Sequence, residues 1–404
     1  MDTEARIKAV VAGKREAIIS ALAELIAIPS ENPPGVSYRE AVEFLSRLLA
    51  EWGIEHRVFT TPHGDHPRFS IAGSYGSGEP GLHFHGHYDV VSAQSPDQFR
   101  GERRNGRLYG RGAADMKGGV VAMLFALRSI QECNIKLSRS ITLTLVPDEE
   151  TGGRLGMRRL VDEGLLPRPA FGALMPEPSS GAIWNGCRGA LTLRVRVKGK
   201  SAHGALPHQG INAFEGMVRV MNSLLDLKER VVARRTALPI TPPEADRSVM
   251  VLGGGSGSGV AFNVVPDSAW FSIERRVNPE EALAQVKDEL NQIFERHRSE
   301  GLDIDVETFQ ESEACVSPAD AELGRVLAEV VTDVAGTPPR FELCPGVLET
   351  RFFCHRGIPG YGYGPGLLEV SHGPDEHVDL GALFNCTTIY ALTAARLLAS
   401  RAAS

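Results

Sequence analysis

Gly81-Leu-His-Phe-His-Gly-His-Tyr-Asp-Val-Val91 is the stretch on which the fold turns. Its residues alternate with a period of two, so His83, His85 and His87 share one face of an extended strand and Leu82, Phe84 and Gly86 the other. The strand then runs into a loop that begins near Asp89. A single histidine on such a strand is most often a satisfied core or surface residue, because metal ligation needs partners. Asp89, two residues after His87, can share its side, and its carboxylate is suited to orient the imidazole.

Outward from this strand, segments of strand-like and helix-like pattern alternate. Residues 1–30 carry Ile18, Leu22, Leu25 and Ile26 at helical spacing, and residues 39–52 form a second helix. An apolar helix follows at 118–132, a β-branched strand at 140–146 and a helix at 153–163. Strands alternating with helices indicate a layered α/β sheet. The middle of the chain differs. It predicts strand 191–198, helix 211–228, strands 248–252 and 264–276, helix 279–297 and strand 302–309. That order is β-α-β-β-α-β, the ferredoxin-like arrangement. The α/β pattern resumes with a helix from Asp320, a strand near Phe341 and a closing helix from Asp379. A chain of 404 residues has room for about two to three domains. The pattern resolves these into two, the smaller inserted in the larger.

Several loops that follow strands or precede helices carry acids or histidine. Gly110-Arg-Gly-Ala-Ala-Asp115-Met-Lys-Gly-Gly119 puts a carboxylate in a glycine-rich loop, where backbone can approach closely and the acid can bridge two cations. The strand at 140–146 ends in Pro147-Asp-Glu149-Glu150-Thr-Gly152. Pro176-Glu177-Pro178 fixes a lone acid between prolines, and Val370-Ser-His372-Gly-Pro adds a late histidine in a rigid turn. Such acid pairs are usually solvated turns. Here they fall where an open α/β sheet places its ligand crevice. His87, Asp115, Glu150, Glu177 and His372 together suit two zinc-like ions, each with one His and one carboxylate plus a shared Asp115. Such ion pairs hold a water between them, and Glu149 remains to take its proton.

With these motifs in hand, the chain resembles the dinuclear zinc metallohydrolase family of acetylornithine deacetylase, succinyl-diaminopimelate desuccinylase, aminoacylase and carboxypeptidase G. The resemblance rests on GHYDVV, GRGAADMKGG, DEE, PEP, KSAHGALP and HGPDEHV, in that order, and spans Glu24 to the C-terminal helix. It implies a zinc-peptidase-like α/β/α catalytic domain (residues 1–187 and 310–404) with an inserted ferredoxin-like (βαββαβ) lid and dimerisation domain (residues 188–309). It further implies one metal on His87, Asp115 and Glu177, and another on Asp115, Glu150 and His372. The ions would be Zn, with Co or Mn as substitutes. Asp89 would orient His87, and Glu149 would activate a metal-bridging water as general base and later serve as acid. His203 would reach the partner subunit's site in a homodimer and bind the oxyanion. Asn263 and Arg276 would contact substrate, and the Gly364-Pro-Gly366 turn would line the pocket. The implied activity is deacylation of an N-acyl amino acid. Carboxypeptidase or dipeptidase activity on a short peptide is the alternative, and Glu177, rather than Asp, favours the deacylase and carboxypeptidase branch. One departure stands out: where the family often shows Thr-Asp-Ala-Arg, this chain has Leu348-Glu-Thr-Arg351.

Other functions are disfavoured. A net charge of −7 argues against a nucleic-acid-gripping protein. No apolar run approaches a membrane span. Arg6, Lys8, Lys14, Arg15 and Glu16 interrupt any secretory core near the N-terminus, and six scattered cysteines read as reduced, mostly buried thiols, which points to the cytoplasm. Gly253-Gly-Gly-Ser-Gly-Ser-Gly259 is a remote nucleotide-binding candidate, but a strand rather than a helix follows it. A non-catalytic binding module is disfavoured because every candidate ligand and the base are present.

Overall fold

The computed structural model describes residues 2–400 and divides into two compact units. Among the described residues, the first comprises 2–186, 317–342 and 349–400, and the second 187–316 and 343–348. The second unit therefore runs past residue 309 to Val316 and also takes in Leu343–Leu348.

The first unit is built on strands β1 (Glu55–Thr61), β2 (Arg68–Tyr75), β3 (Pro80–His87), β4 (Ser140–Val146), β5 (Gly172–Met175) and β6 (Ile183–Cys187). The second contributes β7 (Gly189–Lys198), β8 (Val249–Ser258), β9 (Ser268–Val277) and β10 (Asp303–Ser312), after which β11 (Gly360–Gly362) returns to the first. In the first unit the sheet order is β1-β2-β4-β3-β5-β11-β6. The central strands β4, β3, β5 and β11 are parallel. Their C-terminal ends thus line one edge of the sheet, from which His87, the Asp148–Glu150 loop, Glu177 and the Gly364–Gly366 turn all emerge.

Parallel central strands must be covered on both faces. Leu82 and Phe84 of β3 are fully buried in a core with the helix Lys117–Glu132 and the closing helix Leu380–Leu398. The helix Lys117–Glu132 is buried almost all round, as its nearly continuous apolar sequence requires. Each fully buried Val or Leu there contributes about 1.5–3 kcal/mol. A separate cluster of Val146, Met157, Leu160 and Phe353 packs elsewhere in this unit, and both His83 and His85 contact the Phe353 ring.

Three elements differ from expectation. The N-terminal helix is two helices, Thr3–Gly13 and Arg15–Ile26, because the chain turns at Lys14 and each helix buries its own apolar stripe. The helix expected from residue 153 is only Met157–Asp162: Gly152 and Gly153 have left-handed backbone, and Asp148 Oδ2 accepts the Leu155 N–H. The glycine run 253–259 is largely strand, since β8 continues through it and pairs antiparallel with β9 across a register shift between Leu252 and Ser256. Glycine tolerates such an irregularity, and no helix N-terminus follows it.

In the second unit the four strands are antiparallel in the order β8-β9-β7-β10. Helices Ala213–Val232 and Leu283–Ser299 pack against them over a common core. This is the ferredoxin-like order. The first helix starts at Asn212, whose side chain caps Phe214 and Glu215 N–H.

Helix and site are coupled at Gly119, where a Cβ would run into the carbonyl and ring of Pro176, next to Glu177. Gly119→Ala is therefore expected to destabilise the protein by about 1–3 kcal/mol through overpacking. Thermal denaturation would detect this, and an unchanged Tm would contradict the close approach.

Candidate metal centre

Each potential ligand emerges from a different element. His87 ends β3, Glu150 follows β4, Glu177 follows β5, Asp115 precedes the apolar helix, and His372 sits in the late turn. His87, Asp115 and Glu177 offer atoms within 4.8 Å of one another, and so do Asp115, Glu150 and His372. Asp115 belongs to both sets: its Oδ1 lies 3.3 Å from His87 Nε2 and its Oδ2 lies 3.3 Å from His372 Nε2. His372 Nε2 is also 3.3 Å from Glu150 Oε2.

Three atoms of these sets test whether the residues fit cations. His87 Nε2, Glu150 Oε1 and Glu177 Oε1 are buried without a hydrogen-bond partner. Orphaned polar atoms are expensive in a protein interior, and all three belong to the two candidate sets. The set is acid-rich with imidazole nitrogens, the donor chemistry of zinc-like ions.

The His87 ring is oriented from behind. Its Nδ1 lies 3.0 Å from the Asp89 carbonyl and 3.3 Å from Asp89 Oδ1. With Nδ1 as the donor, the Nε2 lone pair is left for a metal. Asp89, fully buried, also accepts the N–H groups of Glu149 and Glu150, each at 3.2 Å, and Asn32 Nδ2 at 3.0 Å. One carboxylate thus sets both the imidazole and the acidic loop. Two residues of this region, Asp148 (φ 77) and His372 (φ 63), have left-handed backbone, which non-glycine residues adopt at a cost.

Electrostatically the cluster is overloaded with acid. Desolvation, reinforced by Glu349, Asp115 and Asp89, pushes Glu149 up to about 7 against the pull of His87. Burial likewise carries Glu150 to about 7 although His372 opposes it, and it drives Glu177 well above the carboxylate range. Asp115 goes the other way: burial would raise it, but the imidazoles of His372 and His87 beside it hold it down. Hydrogen bonds to Asp115 and Glu150 raise His372 to about 10.

Residues that the sequence reading left unassigned complete the frame. Glu376 and Arg111 are both buried and ion-paired; Glu376 Oε1 accepts the N–H of Ala114 (3.0 Å) and Asp115 (3.1 Å), and Arg111 Nη2 donates to the His372 carbonyl at 3.2 Å. Asn32 bonds Asp89 and the Thr151 hydroxyl. All three lie inside quoted or turn-rich stretches, and an acid near His372 or an Asn before two prolines was the available signal. Gly366 packs closely on the loop that carries Asp115, since a Cβ there would run into the Ala114 carbonyl.

A family model described as peptidase family M20/M25/M40 matches residues 83–396. The chain belongs to this family. It is a metal-binding hydrolase of amide bonds. A succinyl-diaminopimelate desuccinylase from Xylella fastidiosa (strain 9a5c) is 30% identical over 81% of this chain and 86% of its own length. An acetylornithine deacetylase from Myxococcus xanthus is 28% identical over 95% and 98%. A solved dipeptidase from Saccharomyces cerevisiae shares the fold, with TM-score 0.79 at 15% identity over 98% of each chain.

The remaining candidates of this M20-family chain lie in the second unit. His203 is exposed, with Nδ1 accepting the Ala205 N–H at 3.0 Å, and the Gly204 N–H bonds the Asn263 carbonyl, so His203 and Asn263 lie on two exposed segments that pair with each other. Arg276, half-buried on β9, pairs with Glu274 at 2.8 Å. No helix among the described residues is long and apolar enough to cross a membrane.

The raised acids carry a pH signature. In the metal-free protein, Glu149 and Glu150 hold protons more tightly than in the unfolded chain. Their contribution to stability is present below the unfolded value of 4.5 and is lost as pH rises through about 7. A cation must displace the protons on Glu150, Glu177 and His372, so its affinity rises with pH. The metal-induced rise in Tm is expected to be larger at about pH 8 than at about pH 5.5, with net proton release in calorimetry. Equal shifts at both pH values would refute this ligand set.

Proposed function

We propose that this protein is a metal-dependent deacylase that removes the acyl group from an N-acyl amino acid. The observation that carries the reading is the convergence of two ligand triads sharing Asp115, with Glu149, a carboxylate in neither triad, beside them. The desuccinylase and deacetylase relatives support the deacylase assignment.

His87, Asp115 and Glu177 would hold one divalent cation, and Asp115, Glu150 and His372 the other; Zn suits them best, with Co or Mn able to replace it. Bound there, the two cations would acidify a water and polarise the scissile carbonyl. Glu149 takes the proton of the attacking water and passes it to the departing amine, which restores the carboxylate. Asp89 keeps the His87 ring in place and holds the Glu149 loop through its backbone N–H. Residues 188–309 act as lid and dimerisation domain of a cytoplasmic homodimer. In that assembly His203 from the partner chain donates to the developing oxyanion, Asn263 and Arg276 bind substrate oxygens, and Gly366 lines the pocket. The planar guanidinium of Arg276 suits a substrate carboxylate.

Glu149→Ala is expected to retain both metals while losing turnover, whereas His87→Ala should lose metal, as read by elemental analysis beside an amidase assay. Near-normal activity of Glu149→Ala would end the assignment. His203→Ala should lower kcat by roughly 100- to 1,000-fold, the usual cost of an oxyanion donor. Assay of the metal-loaded enzyme on a panel of N-acyl amino acids beside free dipeptides separates deacylase from dipeptidase or carboxypeptidase. Turnover of the dipeptides alone would transfer the assignment to the peptidases.

A further inference from the structure

The motif Leu348-Glu-Thr-Arg351 is not used by the function above. Glu349 lies in the first unit just before the short helix Arg351–Cys354 and is buried. Its Oε2 is 2.8 Å from His85 Nε2. His85 Nδ1 is 2.6 Å from Thr144 Oγ1, which is 2.8 Å from His83 Nε2, and His83 Nδ1 is 2.8 Å from Thr142 Oγ1. The ladder follows from the parallel register of β3 and β4, in which His83 lies opposite Thr142 and His85 opposite Thr144. His85, on the same strand, is two residues before His87.

The same turn also holds the acidic loop. Arg351 Nη2 donates to the Gly152 carbonyl at 3.0 Å, and a Cβ on Gly153 (φ +70) would run into Glu349 Oε1. Glu349 and Arg351 therefore brace β3, which ends in His87, against the loop that carries Glu149 and Glu150. An aspartate at 349 would be one methylene shorter and would draw away from His85.

The ladder closes in either direction, and burial favours the one in which Glu349 carries the proton. Thr144 has one hydroxyl proton but two imidazole neighbours, so it donates to one and accepts from the other. If Glu349 donates to His85 Nε2, then His85 Nδ1–H donates to Thr144, Thr144 to His83 Nε2, and His83 Nδ1–H to Thr142. Every nitrogen and hydroxyl of the ladder is then satisfied with both rings neutral. An ionised Glu349 would leave a buried, charged carboxylate whose Oε1 has no partner, which is costly. Burial also pushes this carboxyl up to about 8, with Arg351 and His87 opposing and Asp89 and Asp148 reinforcing.

We propose that Glu349 is a positioning residue: its carboxyl, bonded to His85, and the neighbouring Arg351 fix the separation between His87 and the Glu149–Glu150 loop. The inference rests on Glu149 and the ligand triads being the reactive groups. Glu349→Ala is expected to lower kcat roughly 10- to 100-fold, with KM and metal content nearly unchanged. Glu349→Gln, neutral and of the same length, should recover most of that loss. The double variant with His85→Ala should be no worse than the poorer single variant, because both act through one link. The proposal is overturned if Glu349→Gln is as poor as Glu349→Ala, if the loss appears in KM, or if the two losses multiply. If Glu349→Ala does not fold, the Gln variant and a crystal structure of the zinc-loaded enzyme decide. Glu349 turned away from His85 in that structure would overturn the proposal. Absence of amide turnover by the zinc-loaded wild-type enzyme would instead refute the proposed function, while that crystal geometry still reports on the brace.

Discussion

Mutual repulsion among carboxylates at the C-terminal edge of a parallel sheet governs this site. Asp115, Glu149, Glu150 and Glu177 come from three different segments and converge on two histidines. They cannot all be ionised at close range without compensating positive charge. In the protein alone, protons and the charged forms of His87 and His372 supply it. Divalent cations at the same positions would supply it more strongly and would partner the orphaned nitrogen and oxygens of His87, Glu150 and Glu177.

Holding such a cluster together needs a frame with few degrees of freedom. Asp89 joins the imidazole to the acidic loop, Glu376 joins the Asp115 loop to the late turn through Arg111, and Asn32 reaches in from near the N-terminus. The parts are distant in sequence and adjacent because parallel strands end together. The pattern suits a hydrolase whose ligands must be preset before metal arrives.

Much of this was legible in the residues. Period-two alternation located β3, and the continuous apolar run marked the helix at 117–132, because those patterns reflect which face is buried. The ligand residues stood in loops next to strands or the apolar helix, and a carboxylate or histidine in a glycine- or proline-rich turn is chemically conspicuous. Less visible were the supports. His83 and His85 read as ordinary strand histidines, and only the register with β4 showed that threonines face them. Glu349 read as a departure from a family motif without a partner, since its partner is 264 positions away. The N-terminal helix was read as continuous because helical periodicity says little about a one-residue turn at Lys14. Similarly, the glycine run resembled a loop, and pairing with β9 made most of it strand.

Taken alone, the sequence determined the α/β class, the βαββαβ order of the insertion, and the donor types at His87, Asp115, Glu150, Glu177 and His372. These depend on local pattern and on side-chain chemistry, which each residue carries with it. The tertiary structure decided that Asp115 faces both histidines, that Asp89 and Glu376 orient the ligand-bearing loops, and that Glu349 meets His85. Those are distances between segments far apart in the chain, and they exist only once strand order and register bring the segments to one edge of the sheet.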